Sequence, residues 1–323
     1  MRFPRMIELL WPVLIAGQFA CGAAAFAERV DPNELLNRMG AAVQSTSYEG
    51  TVIRIQDGKA EALKVVHTVT DGVIHEKVVA QEGNGLEIIR IGNEVHCILP
   101  DRRSVLVEEW DDQSTLFSTL PSSEVRFGSE YDVSIVREER VAGRQTILVA
   151  IRPHDVYRYG HRIWLDAETS FPLQTQLISE DGDAIEQVKF ADISLNKEIH
   201  ASALQPSIST ENFRWLNQPS RHVKRDLETL WESTDLPPGF RAVATHGETM
   251  PGSEEVVTHI LYSDGLANVS VFVAEQDKAT AAGPSRVGGS NSYSASIDGY
   301  RITAVGEVPA VTVEQIATTM SRR

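Results

Sequence analysis

The sequence predicts an α+β protein: a large, curled antiparallel sheet followed by a small α+β unit. Three observations carry this. Roughly eleven short runs of alternating apolar and polar residues fill residues 51–193, several closed by a turn dipeptide such as Asp57-Gly58 or Asp71-Gly72, and Asp-Gly between β-rich runs is the strongest short-range hairpin signal. The texture then breaks between Ala201 and Ser220, where Pro206 and Pro219 bracket Ser, Thr and Asn, and a second set of strands with a terminal helix follows. A chain of 323 residues, 42% of them hydrophobic, has room for two cores.

Taken in order, the chain opens with what reads as an export signal over residues 1–27. Arg2 and Arg5 form its positive end, Leu9 to Ala20 its apolar run, and Ala25-Phe26-Ala27 a small-x-small cleavage site before Glu28. That run is too short for a stable transmembrane helix. Cys21 raises lipid modification as the other outcome, but Gln18-Phe19-Ala20 lacks the leucine expected for that processing. Asp31-Pro32 then starts a helix with Leu35, Leu36, Met39 and Val43 on its apolar stripe.

The strands that follow are expected at 51–55, 63–69, 73–79, 86–91, 95–99, 105–107, 133–136, 146–151, 163–165, 173–178 and 185–193. So many twisted strands curl into a barrel or part-barrel. One insertion breaks the alternation: Asp112 to Pro121 spaces Leu116, Phe117 and Leu120 at helical intervals. Such a helix either plugs the concave side of the sheet or covers its outside.

Arg152 to Asp166 gathers three arginines, two histidines, two tyrosines and a tryptophan in an acidic chain. Pro153 stops a helix from running in, Gly160 is placed for a bulge, and Arg162 and Trp164 share one strand face while Ile163 and Leu165 take the other. Two readings follow: a strand whose arginines pair with nearby carboxylates, or a basic-aromatic platform for a partner or an anionic ligand, with Arg152, Arg158, Arg162 and Trp164 as its contacts. After residues 28–203, the stretch 204–225 reads as a linker containing the basic run Arg221 to Arg225, a solvated face or a docking spot. The unit at 226–323 has strands at 256–262, 267–273 and 300–305, turns at Asp264-Gly265 and Asp298-Gly299, and a helix over 312–320 with Val313, Ile316, Ala317 and Met320 inward. Lys278 to Ser296, rich in Ala, Gly and Ser, is expected to be mobile.

Charge and motif content favour binding over catalysis. The formal charge is −15. The signal carries Arg2 and Arg5 against Glu8, a net +1, so the exported chain stands near −16, which argues against nucleic acid and general adhesion to anionic membranes. Without the signal Cys97 is the only cysteine, so no intramolecular disulfide is possible, and its strand Val95 to Leu99 reads as a buried, inert site. There is no Gly-x-Ser-x-Gly elbow, His-Glu-x-x-His motif or P-loop. His67, His75 and His96 on successive strands either converge on a metal or lie scattered and half-buried, the second being the better reading. No cofactor is expected.

Several segments together resemble the RseB/MucB family of periplasmic sigma-factor regulators: Tyr48-Glu49-Gly50-Thr51, Val66-His67, His75-Glu76, Glu87 to Arg90, Val95 to Pro100, Arg140 to Arg144 and Arg152 to Asp166. In the second unit Leu236 to Arg241, His259 to Ala267, Val269 to Phe272 and Val305 to Pro309 are similar to the same family. Ala80-Gln81-Glu82, in place of a more apolar segment, and Phe171, where leucine is common, are modest departures. The resemblance implies a half-open β-barrel shaped like that of lipoprotein carriers, with inserted helices, joined to a small C-terminal domain. It also implies a partner, the periplasmic part of a RseA/MucA-type anti-sigma factor, shielded from the site-1 protease until lipid, lipopolysaccharide or lipoprotein acyl chains release it. Leu116, Phe117 and Leu120 would then meet the acyl chain and Arg152, Arg158 and Arg162 its head group. The alternative is a lipid or lipoprotein carrier using the same cavity. Nothing in the residues argues against a homo-oligomer.

Overall fold

Asp31 caps the first helix, α1 (Pro32–Ser45), by accepting the Asn33 amide at 2.9 Å, and Pro32 occupies the first turn, where its missing donor is harmless. The structure, a computed structural model, describes residues 31–109, 120, 128–217, 225–226, 230–249, 256–275 and 283–323. The expected signal, Leu116, Phe117 and residues 221–224 lie outside these. Among the described residues no helix is long and apolar enough to cross a membrane.

All eleven expected runs are strands: β1 (Tyr48–Gln56), β2 (Lys59–Thr70), β3 (Val73–Ala80), β4 (Glu87–Ile91), β5 (Glu94–Leu99), β6 (Ser104–Glu109), β7 (Tyr131–Val141), β8 (Arg144–Pro153), β9 (Gly160–Asp166), β10 (Pro172–Ile178) and β11 (Ala184–Leu195). A twelfth, β12 (Arg214–Asn217), pairs parallel to β6. The sheet order is β12-β6-β5-β4-β3-β2-β1-β11-β10-β9-β8-β7, so β1 and β11 meet near the centre and, among the described residues, β12 and β7 are open edges. A strand set that stays unpaired at both edges is a half-open sheet rather than a closed barrel. Asp57-Gly58 and Asp71-Gly72 both adopt positive φ at both residues, as two-residue hairpin turns require.

One face of this sheet carries two of its core clusters. Residues opposite each other across strands share a face, which places Tyr48, Val52, Val65, Val78 and Phe190 in a cluster with Ala42 of α1. Leu35, Leu36 and Met39 of α1 pack with Val149, Ile151, Ile163 and Leu165 in a second cluster on the same side. The stretch 204–217, expected as free linker, is held against the sheet: Lys77 Nζ donates to the Gln205 carbonyl at 2.6 Å and to Ser207 Oγ at 2.7 Å, and the Ser207 amide to Glu87 at 2.9 Å. Phe213 packs on Ile89, Ile98 and Val105.

The remaining chain forms β13 (Arg225–Asp226), β14 (Trp231–Ser233), β15 (Arg241–Thr249), β16 (Val256–Ser263), β17 (Asn268–Glu275), β18 (Gly283–Val287), β19 (Ser290–Ile297), β20 (Tyr300–Gly306), α2 (Ala310–Thr318) and β21 (Met320–Arg322). Seven of these strands make a sheet ordered β13-β15-β16-β17-β20-β19-β18, with β14 and β21 paired apart. Val313, Ile316, Ala317 and Met320 are buried as expected, against Ile260, Val271 and Ile302. The mobile segment expected over 278–296 is corrected over 283–296, where β18 and β19 pair along their length and β19 joins β20; residues 278–282 lie outside the described residues. Its serines hide a period of two, Asn291, Tyr293, Ala295 and Ile297, which shares one face of β19.

Gly160 also differs from expectation. It starts β9 in regular register with Ile178 instead of forming a bulge, and a Cβ there would meet the Ile151 carbonyl at 3.2 Å and Pro153 Cδ at 3.4 Å. Close backbone approach is what needs the glycine.

Candidate functional site

The aromatic and basic stretch at 152–166 resolves into three roles. Arg158, whose side chain has no exposed surface, joins the two sheets. Its guanidinium donates to Asp264 Oδ2 at 2.9 Å, to Asp155 Oδ1 at 3.1 Å and to the Pro238 carbonyl at 2.5 Å. It also lies over the rings of Tyr131 and Phe240, at 5.3 and 5.2 Å. Tyr131 donates to Asp264 Oδ2 at 2.8 Å, while Asp264 Oδ1 accepts the amides of Leu266 and Ala267 at 2.9 and 2.8 Å. Burial, then the Asp264 carboxylate, push the Tyr131 hydroxyl far above its ordinary range. Saturated in this way, Arg158 is not open to an anionic head group, so the expectation for it is corrected.

Arg152 and Arg162 are exposed and flank a pocket of about 260 Å³ floored by Ala150, Gly160 and Ile178. Arg152 reaches Ser134 Oγ at 3.4 Å. His161 lines the same pocket, and burial holds its imidazole down at about 4, against a small upward pull from Asp264. Trp164 is 5% exposed, and its indole donates to Glu139. It packs in the core and offers no free ring to a partner.

The face of the large sheet under α1 is apolar and covered. Leu120, the one described residue of the expected 112–121 helix, packs against both clusters that α1 touches. Leu266, from the loop after β16 in the smaller sheet, is buried in the cluster of Leu35, Leu36 and Met39. Within this face sits a polar group: Tyr48 stacks on His67 with ring centroids 4.9 Å apart, His67 Nδ1 meets Glu76 Oε2 at 2.8 Å, and Arg90 stands opposite Glu76 on β4. Tyr48, His67 and Glu76 are at most 2% exposed, and the Tyr48 hydroxyl, His67 Nε2 and Glu76 Oε1 have no hydrogen-bond partner among the described residues. Burial and Glu76 raise the Tyr48 hydroxyl well above its usual range.

The three histidines do not converge. His67 faces Tyr48 and Glu76, whereas His75 pairs with Thr68 and Ile91 and His96 with Ile89, which sets both on the opposite face. Cys97 is half-buried, not fully buried as expected, because it opposes Ile88 and Leu106 near the sheet edge while its neighbour Ile98 takes the deeper side. The sequence reading missed a second contact between the sheets, where Gly288 and Gly289 of the β18–β19 turn meet Asp57 and Glu186. The Gly-Gly pair was the available signal.

Residues 31–208 match the MucB/RseB N-terminal domain and residues 225–321 the MucB/RseB C-terminal domain. The chain belongs to the MucB/RseB family. Among its relatives are the sigma factor AlgU regulatory protein MucB of Pseudomonas aeruginosa, 28% identical over 299 residues and 90% of each chain, and the sigma-E factor regulatory protein RseB of Escherichia coli K12, 27% identical over 305 residues and 94% of each. Of solved structures, the MucA/MucB complex of P. aeruginosa covers 91% of this chain and 99% of that one at 27% identity and a TM-score of 0.68. MucB in complex with MucA(peri) gives the same identity and coverage with a TM-score of 0.69, and MucB alone 0.61 at 25% identity. The family likeness therefore spans both sheets.

Proposed function

We propose that this chain is an exported, non-catalytic regulator of an envelope-stress sigma factor. With residues 1–27 removed, a lipid-binding-like domain over 28–203 and a small domain over 226–323, joined by 204–225, bind the periplasmic part of a RseA/MucA-type anti-sigma factor. Binding shields that partner from site-1 proteolysis, and a lipid, lipopolysaccharide or lipoprotein acyl chain releases it. The observation that carries this reading is the two-domain likeness to MucB held with MucA, at a TM-score of 0.69 over 91% of the chain. The apolar face under α1 supports the acyl-chain part, because Leu120 and Leu266 both pack there and Leu266 belongs to the loop that holds Arg158. A tail entering that face meets the contact that joins the domains.

The test is cleavage of a membrane-anchored anti-sigma factor by its site-1 protease, with this protein added and with or without lipid. Cleavage is expected to be blocked by the protein alone and restored by an acylated ligand. Leu120→Asp is expected to keep the block and lose the restoration. Unimpeded cleavage in the presence of the protein would refute the masking role, and normal lipid release from Leu120→Asp would refute the acyl-chain site.

A further inference from the structure

Away from Arg158, the domains meet at a second seam built around carboxylates. The turn between β18 and β19 presents two successive backbone donors: the Gly288 amide to Asp57 Oδ2 at 3.1 Å and the Gly289 amide to Glu186 Oε1 at 2.7 Å. Glu186 Oε1 also accepts from Gln56 Nε2 at 2.6 Å, and Gln56 Oε1 accepts from Arg54 at 3.1 Å. A side chain on either glycine would force its neighbours across the seam to shift. Gly288 sits at φ +58°, and a Cβ would overlap Gln56 and Glu186; one on Gly289 would meet Leu177 Cδ2 at 2.5 Å and Glu307 Cγ at 3.3 Å. The second carboxylate, Glu307, follows β20 on the other domain, and its Cγ and Glu186 Oε1 lie 3.3 and 3.4 Å from where a Gly289 Cβ would stand.

We propose that Glu307 and the Gly288-Gly289 turn, seated on Glu186 and Asp57, form a proton-sensitive latch that holds the two domains together in acid and loosens as the pH rises.

The physical basis is two carboxylates from different domains brought together where water reaches poorly. While Glu307 carries a proton, Glu186 is free to accept the Gly289 and Gln56 donors without a neighbouring like charge. Once Glu307 ionises, the pair repels, and opening the seam is the move that separates them. Burial first, then Glu186, raise the Glu307 carboxyl to about 7, while Arg54 pulls the other way. The other charged or titratable groups at the seam are Asp57, held by Gly288; Arg286, whose Nε donates to the Gly288 carbonyl at 2.8 Å; and Tyr159, whose hydroxyl accepts from Asn291 at 3.0 Å. Burial raises Tyr159 further above its ordinary range. None of these replaces Glu307, since the arginines keep their charge at every relevant pH and Asp57 already has its donor. The sign follows from linkage: a carboxyl that binds its proton more tightly in the closed form favours closure below its closed-state value and opposes it above. The latch modulates a docking that Arg158 maintains through Asp264 and the Pro238 carbonyl. The latch requires neither the proposed partner nor the proposed ligand.

Hydrogen exchange on the full chain tests it, with the amides of Gly288 and Gly289 as reporters and that of Val271, in the small-domain core, as control. From pH 5.5 to 8.5, after correction for intrinsic rates, protection at the turn is expected to fall at least about tenfold; the ceiling over this range is about 30-fold for a carboxyl moving from 4.5 when open to about 7 when closed. Glu307→Gln should remove most of that fall, and Glu186→Gln should shift its midpoint towards the ordinary carboxyl range. Equal falls in the wild type and Glu307→Gln, no fall at all, or a parallel fall at Val271 would each overturn the latch.

Discussion

Arg158→Met removes the cation from the principal domain contact while keeping most of the side chain's volume. Asp264 would retain Tyr131 and the amides of Leu266 and Ala267, but its carboxylate is 1% exposed and would lose the guanidinium that neutralises it among the described residues. Removing one partner of a buried ion pair costs about 3–5 kcal/mol, because the other charge stays out of water. Loss of the stacking over Tyr131 and Phe240 adds roughly 1 kcal/mol or more in a desolvated site. The Asp155 and Pro238 bonds lie within the same cluster and do not add independently. We therefore expect urea unfolding, followed by tryptophan fluorescence and circular dichroism, to show a loss of about 3–5 kcal/mol. Arg158→Met combined with Asp264→Asn should then cost at least about 2 kcal/mol less than the sum of the two single changes, since the stranded charge is gone. A single variant within about 1 kcal/mol of wild type, or strict additivity in the double, would refute the account of Arg158 as a buried electrostatic pin.

Two further outcomes follow from the same geometry. His161 is held neutral by burial with its value down at about 4; the unfolded chain takes up that proton first, so this contribution is present above the ordinary histidine value and is lost as pH falls from about 6.5 to 4. Because the pocket admits some solvent, the loss should be roughly 1–2 kcal/mol, and His161→Gln should flatten the acid limb of a stability-against-pH curve; an unchanged limb counts against a buried neutral imidazole. Cys97, half-buried on the face that α1 covers, should react with a small methanethiosulfonate without denaturant, more slowly than a free thiol, and an added fatty acid should slow it further; reaction only after unfolding, or indifference to fatty acid, contradicts this placement.

The strands were legible because alternation and the turn residues agreed. At Asp57-Gly58 and Asp71-Gly72 both turn positions need φ > 0, a demand that few other dipeptides meet. The α1 stripe was equally plain, since Leu35, Leu36 and Met39 recur at helical spacing and all three are buried. Arg158 shows what the sequence withholds. Its partner Asp264 is 106 residues away, and no local pattern separates an arginine that pins two domains from Arg152 or Arg162, which stay exposed. The β19 strand failed as an expectation for a different reason: serine at alternate positions looks like low complexity until Asn291, Tyr293, Ala295 and Ile297 are read as one face. At Cys97 the apolar flanks Val95 and Ile98 are buried, but strand pairing near an edge decided the exposure of the residue between them.

On the proposed reading, the loop from Asp264 to Ala267 is where ligand and partner responses meet. Leu266 is buried among α1 residues and Ile151, Ile163 and Leu165, while Asp264, two residues earlier, holds Arg158 and also accepts the Leu266 amide. An acyl chain that takes the place of Leu266 would disturb the backbone that fixes the Asp264 carboxylate, without ever touching Arg158. Burying a methylene contributes about 0.8 kcal/mol, so seven of them give about 5.6 kcal/mol before ordering costs. Moving a two-state equilibrium from 1:99 to 99:1 takes about 5.5 kcal/mol of differential affinity, and the pin itself is worth about 3–5 kcal/mol against removal of one partner. The three magnitudes lie close together. A single tail is therefore enough to reverse the docking, but only if most of its buried length is gained in the displaced form and not in both.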